Sequence, residues 1–402
     1  MKINNFFTEN SFYLMLLVLS MLAISFGSVG SGFFNNYNIT VYLSYFILII
    51  FFVSRDDILK YFRGTYFLKI FSVLVVFLLS SILAAERGAF DVWDRYFSIL
   101  VCILFGCIFY FLINEDKVNP DFVIYMLTIL GVIHVLFLLL FSARLDDPAN
   151  YDWAQKLPFF NNIRNFTDYL VICFLCSIYL YLINDKKKYF FTSVIILSCL
   201  FWSGSRSSIL AGFFSLIFII YFFRNNFRSL IYLSCVPVFS YLLSVLFRVN
   251  SSGLGFYNSI SRSVSGDVNK ISSSRIDVYK QVIDLIKERP IFGYGGEAVR
   301  NQGVMAGDMK LAQAHNFILQ ILLEFGFVGL FFVVLVFFSI FSKINLSNIN
   351  NKNCIFYAVV INIFISSFFN GGFYYTATLS LFCLFCACVC YLNINNGAIN
   401  AR

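Results

Sequence analysis

The sequence predicts an all-α fold, a polytopic bundle of about twelve membrane-spanning helices with one large outward loop. Three observations carry that expectation. Sixty per cent of the residues are apolar and 20% aromatic, while charged residues make up 12%, against about 25% in a soluble domain. Apolar runs of about 17 to 20 residues recur from Ser11 to Leu392, and each is long enough as a helix to cross a hydrocarbon core about 30 Å thick. The runs are continuous and not alternating, so the strands of a transmembrane barrel do not fit. Residues 1–402 read as a single integral membrane domain, without an internal repeat or a separate soluble unit.

The first run, Phe12 to Phe26, follows Lys2 and a short polar lead. Small residues at Gly27 to Gly32 suit a cleaved leader, but no clear A-x-A site is present, so the run reads as a retained span near 11–29. The others lie near 39–53, 69–85, 96–113, 121–141, 167–184, 189–203, 208–223, 229–247, 314–341, 354–370 and 375–393. With the N-terminus in the cytoplasm, the loops holding Arg55, Lys60 and Arg63, Lys186 to Lys188, Arg224 and Arg228, and Lys343 and Lys352 all fall on the cytoplasmic side. That is the positive-inside arrangement, and it puts the C-terminus inside as well.

The net charge of +8 is spread between the apolar runs and not gathered in one patch, which argues for membrane lipids or an anionic substrate and against nucleic acid as partner. Five short outer segments and the long loop 248–313, between the ninth and tenth runs, are basic for that side: Arg87, Arg95, Arg144, Lys156, Arg164, Arg206, Arg262, Arg275, Arg289 and Arg300. Such arginines either pair with Asp91, Asp94, Asp146, Asp147 and lipid phosphates, or line a cavity for a phosphate-bearing substrate. None of the eleven cysteines lies in the long loop, so no disulfide framework is expected. Cys383, Cys386, Cys388 and Cys390 have the look of a metal site, but lipid-buried thiols ionise poorly and packing is the expected role.

Within the long loop, Ser274 and Asp277 form a capping box. Ile276, Tyr279, Val282, Ile283 and Ile286 follow at helical spacing, with Lys280, Asp284, Lys287 and Glu288 opposite, so an amphipathic helix is expected to lie on the membrane surface or across the bundle. Pro290, Gly293, Gly295 and Gly296 end it. The Ser- and Gly-rich stretch from Asn250 to Ser274 suits a flexible approach.

The candidate chemistry sits at two junctions. In the tight turn Ser203 to Ser208, Arg206 has to face water or the bundle, since an arginine against lipid costs several kcal/mol. Ser205 and Ser207 beside it suit capping and an anion at the helix start. At the start of the tenth run, His315 is one of two histidines in the chain, and an imidazole near pKa 6.5 can take a hydroxyl proton. Asn316 reads either as a helix cap or as a substrate contact, and with Gln320 and Glu324 it forms a polar line facing other helices. Gly326 and Gly329 suit close helix approach. Glu324 is expected to be structural or to support the site, and His134 to be a buried, hydrogen-bonded histidine. No phosphate loop, dinucleotide fingerprint, HExxH motif or G-x-S-x-G elbow appears, which argues against an ATP-driven pump or a serine hydrolase.

Four stretches, FFNNIRNFTDYL (159–170), SGSRSSILAG (203–212), SSRIDVYKQVIDLIKERPIFGYGG (273–296) and AHNFILQILLEFGFVGL (314–330), together resemble the O-antigen ligase and polymerase superfamily of bacterial membrane glycosyltransferases. They cover mainly the C-terminal 60% of the chain, and the N-terminal runs match only in hydropathy. The resemblance implies around a dozen spans, a periplasmic loop at 248–313, an inner-membrane location and no cofactor or metal. It also implies transfer of a glycan from undecaprenyl diphosphate to lipid A-core, by a ligase, or to another lipid-linked unit, by a polymerase. Arg206 and Arg275, joined by Arg164 and Arg289, are expected to hold the diphosphate, and His315 to orient or deprotonate the acceptor hydroxyl. Asn316, Ser205 and Ser207 are further substrate contacts. A transporter or flippase is the competing class, although paired broken helices and repeated halves are missing. A structural membrane partner is the third.

Overall fold

The computed structural model describes residues 11–26, 35–55, 57–58, 65–89, 91–154, 156–160, 162–246, 254–264, 275–307, 309–342, 344 and 346–400. Lys2, Gly27 to Gly32, Lys60, Arg63, Lys343, the Ser274 cap and most of the stretch from Asn250 to Ser274 lie outside the described residues.

Among the described residues, nine apolar helices come first: α1 (Ser11–Phe26), α2 (Asn35–Val53), α3 (Thr65–Ala85), α4 (Val92–Asn114), α5 (Asp121–Ser142), α6 (Ile163–Asn184), α7 (Lys187–Ser203), α8 (Arg206–Phe223) and α9 (Phe227–Val245). The loop that follows holds α10 (Phe256–Val264), α11 (Arg275–Glu288), the single turn α12 (Ala298–Asn301) and a hairpin of β1 (Met305–Ala306) with β2 (Met309–Lys310). Three more apolar helices close the chain: α13 (Phe317–Phe341), α14 (Cys354–Asn370) and α15 (Thr376–Asn400). A helix thus occupies the place of every apolar run. Seven of them, α3, α4, α5, α6, α8, α13 and α15, are long and apolar enough to cross a membrane, so the chain is an all-helical, multi-pass membrane protein.

The bundle is organised around α6. Of its membrane-length window 94% is buried, against 33% for α8 and α13, because α5, α7, α8 and α14 surround it. A helix that is apolar on every face, FTDYLVICFLCSIYLYL, can be covered on every face only at the centre. α1 packs into the same core through Leu17, Met21 and Ile24. His134 is fully buried on α5, stacked on Phe26, with its ring nitrogens 2.7 and 3.0 Å from the carbonyls of Leu130 and Ser25. Cys383, Cys386, Cys388 and Cys390 all lie on α15.

Two details of the loop region differ from the sequence reading. α11 buries Val278, Val282 and Ile286 against α13, whereas Ile276 and Ile283 remain exposed. The i, i+4, i+8 row won over the broader apolar face because only a narrow ridge meets α13. Second, α13 is not one continuous helix: Gly326 has φ 66° and ψ −170°. The segment Pro290 to Gly295 enters the break, where Phe327 N–H donates to the Pro290 carbonyl (2.8 Å) and the N–H groups of Tyr294 and Gly295 donate to the Leu323 and Glu324 carbonyls (2.8 Å each). Gly326 therefore admits a loop backbone and not a neighbouring helix. A Cβ there would clash with the Ile291 carbonyl besides occupying a left-handed φ. Gly326→Ala is expected to destabilise the protein by about 2 kcal/mol, seen as a lower Tm in detergent.

Candidate active site

The first turns of α6, α8 and α11 and the residues leading into α13 meet at one end of the bundle, where α14 finishes. Four helix N-termini thus bring the positive ends of their dipoles to one place. Each also brings chemistry. Arg164 lies in the first turn of α6, behind the Asn162 cap that accepts its N–H at 2.8 Å. Arg206 opens α8 and Arg275 opens α11. His315 stands two residues before α13.

Asn370, the last residue of α14, ties these elements together. Its Oδ1 accepts from Ser207 (2.5 Å) and from Arg275 Nη2 (3.3 Å). Its Nδ2 donates to Asp168 Oδ1 (3.0 Å) and to Ser208 Oγ (3.1 Å). Asp168 lies one turn below Arg164 on α6 and also accepts from Ser208 at 2.7 Å. Ser205 reaches Ser208 at 2.9 Å and makes no side-chain bond to the helix start, so the serines expected as caps instead link α8 to the network.

Arg164 Nη1 lies 3.0 Å from His315 Nε2. The ring is buried, at 8% exposure, and its backbone sits at φ 56°, a strained conformation for a residue with a side chain. Gly371 faces it, with φ 66° and no room for a Cβ beside Gln313. Burial, then Arg164 and Arg275, push the His315 imidazole down to about 3, while the Asn370 carbonyl acts the other way without meeting hydrogen-bonding geometry. The same burial and neighbouring guanidiniums lower Arg275 to about 10, leaving it charged at neutral pH. Buried polar atoms without a partner among the described residues gather here: Asp168 Oδ2, Arg275 Nε, Gln313 Oε1 and His315 Nδ1. Unsatisfied donors and acceptors around clustered cations fit an anionic, hydroxyl-bearing ligand.

The segment before α13 is held from behind by a second buried network. The Ala314 N–H donates to Gln320 Oε1 (2.7 Å), and Gln320 Nε2 to Glu324 Oε1 (2.7 Å). Glu324 pairs with Arg95 at 3.5 Å and accepts the Glu297 N–H at 3.1 Å. Arg95 also donates to the carbonyls of Tyr374 (2.8 Å) and Phe373 (3.1 Å). Arg95 thus finds Glu324 as its partner, not the nearby aspartates of its own loop.

The structure brings His315, Arg164, Arg275, Ser205 and Ser207 into one network. Arg206 lies at its edge, donating to Ser263 of α10 at 3.1 Å and close enough to act electrostatically on Arg275. Arg289 is set apart: it lies over the Tyr294 ring at 4.4 Å, fourteen residues and thus about 21 Å of helix from Arg275. Asn316 is the α13 cap, its Oδ1 accepting from Ile318 (3.0 Å) and Leu319 (3.2 Å). Asp168, Asn370 and Gln313 were not singled out from the sequence. The signal for Asp168 was an acidic residue inside an apolar run, four residues after an arginine.

Beside the site, an apolar cavity of about 500 Å³ runs between α3, α4, α13 and α15. Val73, Phe77, Ile99, Val336 and Phe382 line it, and Arg95, Gln320 and Gly371 form its polar end. Among the described residues no cluster of His, Cys, Asp and Glu could hold a metal ion.

Two outcomes follow from these networks. The unfolded chain's imidazole protonates below about pH 6.5, whereas the buried ring stays neutral down to about 3. The native state therefore keeps this contribution above that window and loses it as pH falls through it. Acidification from about pH 7 to 5 is expected to cost the wild type about 2 kcal/mol more than His315→Asn, measured as the difference in Tm. Glu324→Ala leaves Arg95 buried without its carboxylate and is expected to cost about 3–5 kcal/mol, with Glu324→Gln milder, by the same measurement.

Residues 191–334 match the family model described as O-antigen ligase. No curated protein matches the chain.

Proposed function

Because the chain carries an O-antigen ligase domain over residues 191–334, we propose that it transfers a glycan from undecaprenyl diphosphate to a sugar hydroxyl of lipid A-core, as a glycosyltransferase of the bacterial inner membrane. Twelve helices, α1 to α9 with α13 to α15, cross the bilayer. A cytoplasmic N-terminus then turns the arginine site and the loop 248–313 toward the periplasm, and it puts the exposed Ile276 and Ile283 of α11 at the membrane surface. The observation that carries the reading is the arrangement of Arg164 and Arg275, each at a helix start, around His315, with Arg206 at a third helix start close enough to act on both guanidiniums.

In this reading Arg164, Arg275 and Arg206 hold the diphosphate, with Ser207 and Asn370 fixing Arg275. The acceptor oxygen attacks the anomeric carbon in line, with inversion. The bond from that carbon to the diphosphate oxygen breaks, and its electron pair leaves with the diphosphate. The guanidinium groups offset the charge that builds there, and diphosphate leaves without a separate general acid. The hydroxyl proton passes to His315 and from there to the departing phosphate or water. The donor's prenyl chain lies in the apolar cavity between α3, α4, α13 and α15.

The test is glycan transfer by purified variants brought to equal membrane levels. His315→Ala and Arg275→Ala are expected to lose about 10²-fold or more, and Arg275→Lys to recover little, since an ammonium cannot reproduce a two-pronged contact. EDTA is expected to leave the rate unchanged. Full activity in all the variants would remove the mechanism. Gene disruption separates the acceptors: loss of a ligase leaves lipid-linked polymer without surface attachment, and loss of a polymerase leaves single repeats on the core.

A further inference from the structure

We propose that Arg164 is a latch that keeps His315 in a non-basic form until the diphosphate of the donor draws it away, so that the base is unmasked only in the donor-bound enzyme. The inference rests on the diphosphate reading of the site given above.

The geometry fixes the starting state. A guanidinium has only donors, so the 3.0 Å contact of Arg164 Nη1 with His315 Nε2 requires Nε2 to be the acceptor. The neutral ring therefore carries its proton on Nδ1. In that tautomer neither nitrogen can take a proton from a hydroxyl: Nε2 has its lone pair engaged by Arg164, and Nδ1 is already protonated. Yet Nδ1 is buried without a hydrogen-bond partner among the described residues, an arrangement that costs free energy and that a bound hydroxyl would relieve.

The groups facing the ring support the same state. Arg164 comes from α6, Arg275 from α11 and the Asn370 carbonyl from α14. Asp168 acts on both guanidiniums, but Ser208 and Asn370 occupy its Oδ1. Tyr375 reaches this region through Gln313, which donates to its hydroxyl at 2.7 Å. Burial, then the two cations, hold His315 down to about 3, too low for a base working on a sugar hydroxyl at neutral pH.

An anionic diphosphate changes both terms. A charge-assisted arginine–phosphate contact is stronger than one to a neutral imidazole, so Arg164 exchanges its partner. The exchange frees the Nε2 lone pair, and the phosphate charge offsets the field of Arg164 and Arg275 on the ring. The acceptor O–H proton then goes to Nε2, giving an imidazolium that keeps its Nδ1 proton. Donor binding thereby precedes productive binding of the acceptor hydroxyl.

The experiment is magic-angle NMR of the full-length chain in lipid bilayers with 15N-imidazole histidine, with and without saturating inorganic pyrophosphate. His315 is assigned by the loss of its signals in His315→Asn. The expected result without pyrophosphate is the Nδ1–H tautomer, unchanged from about pH 8 to 5. With pyrophosphate, its titration midpoint rises by more than about one pH unit. Arg164→Gln is expected to raise the midpoint without pyrophosphate and to shrink the further shift. An Nε2–H tautomer in the free protein, or an unmoved titration although calorimetry shows pyrophosphate bound, would overturn the latch and leave the anion site standing. Absence of pyrophosphate binding would overturn the anion site and the latch together.

Discussion

The site depends on one buried carboxylate. Asp168 lies inside the central helix at 1% exposure, where a lone charge is costly and has to be hydrogen-bonded. Ser208 and Asn370 supply those bonds, one from the start of α8 and the other from the end of α14. Satisfying Asp168 thus fixes the axial position of three helices at once. Because Asn370 also accepts from Arg275 and Ser207, the register that serves the carboxylate also sets the cations of the site.

His315 is held from the opposite direction. Its left-handed backbone persists because the flanking segment is over-determined: Asn316 caps α13, Ala314 is tied to Gln320, and Gln320 to the buried Glu324–Arg95 pair. The break at Gly326 belongs to the same device. It lets the backbone of residues 290–295 bond to α13 beside Glu324, which docks the end of α11, whose first residue is Arg275, onto the helix that follows His315. Two polar networks, one under the arginines and one behind the imidazole, therefore converge on the space between them.

What these networks do to charge matters as much as where they place it. Burial and the guanidiniums of Arg164 and Arg275 disfavour a protonated imidazole here, and the clustered cations favour an anion. A histidine in such a field cannot be read as an ordinary base near pKa 6.5, which is how it stands in the sequence.

The sequence by itself determined the membrane class, the positions of the apolar helices, and Arg206 and His315 as candidates, because hydropathy, charge in an apolar context and an imidazole at a helix mouth are local signals, while Arg275 and Arg164 entered through the family resemblance. The tertiary structure alone decided which of these meet. Helix rise sets Arg289 apart from Arg275, and Asn316 Oδ1 caps α13. Asp168 and Asn370 enter through contacts that join residues 202 positions apart. The pairing of Arg95 with Glu324, 229 positions away, is likewise invisible to any local pattern. Burial of a polar group is settled by partners that arrive only when the helices pack, and no window of sequence contains both halves of such a bond.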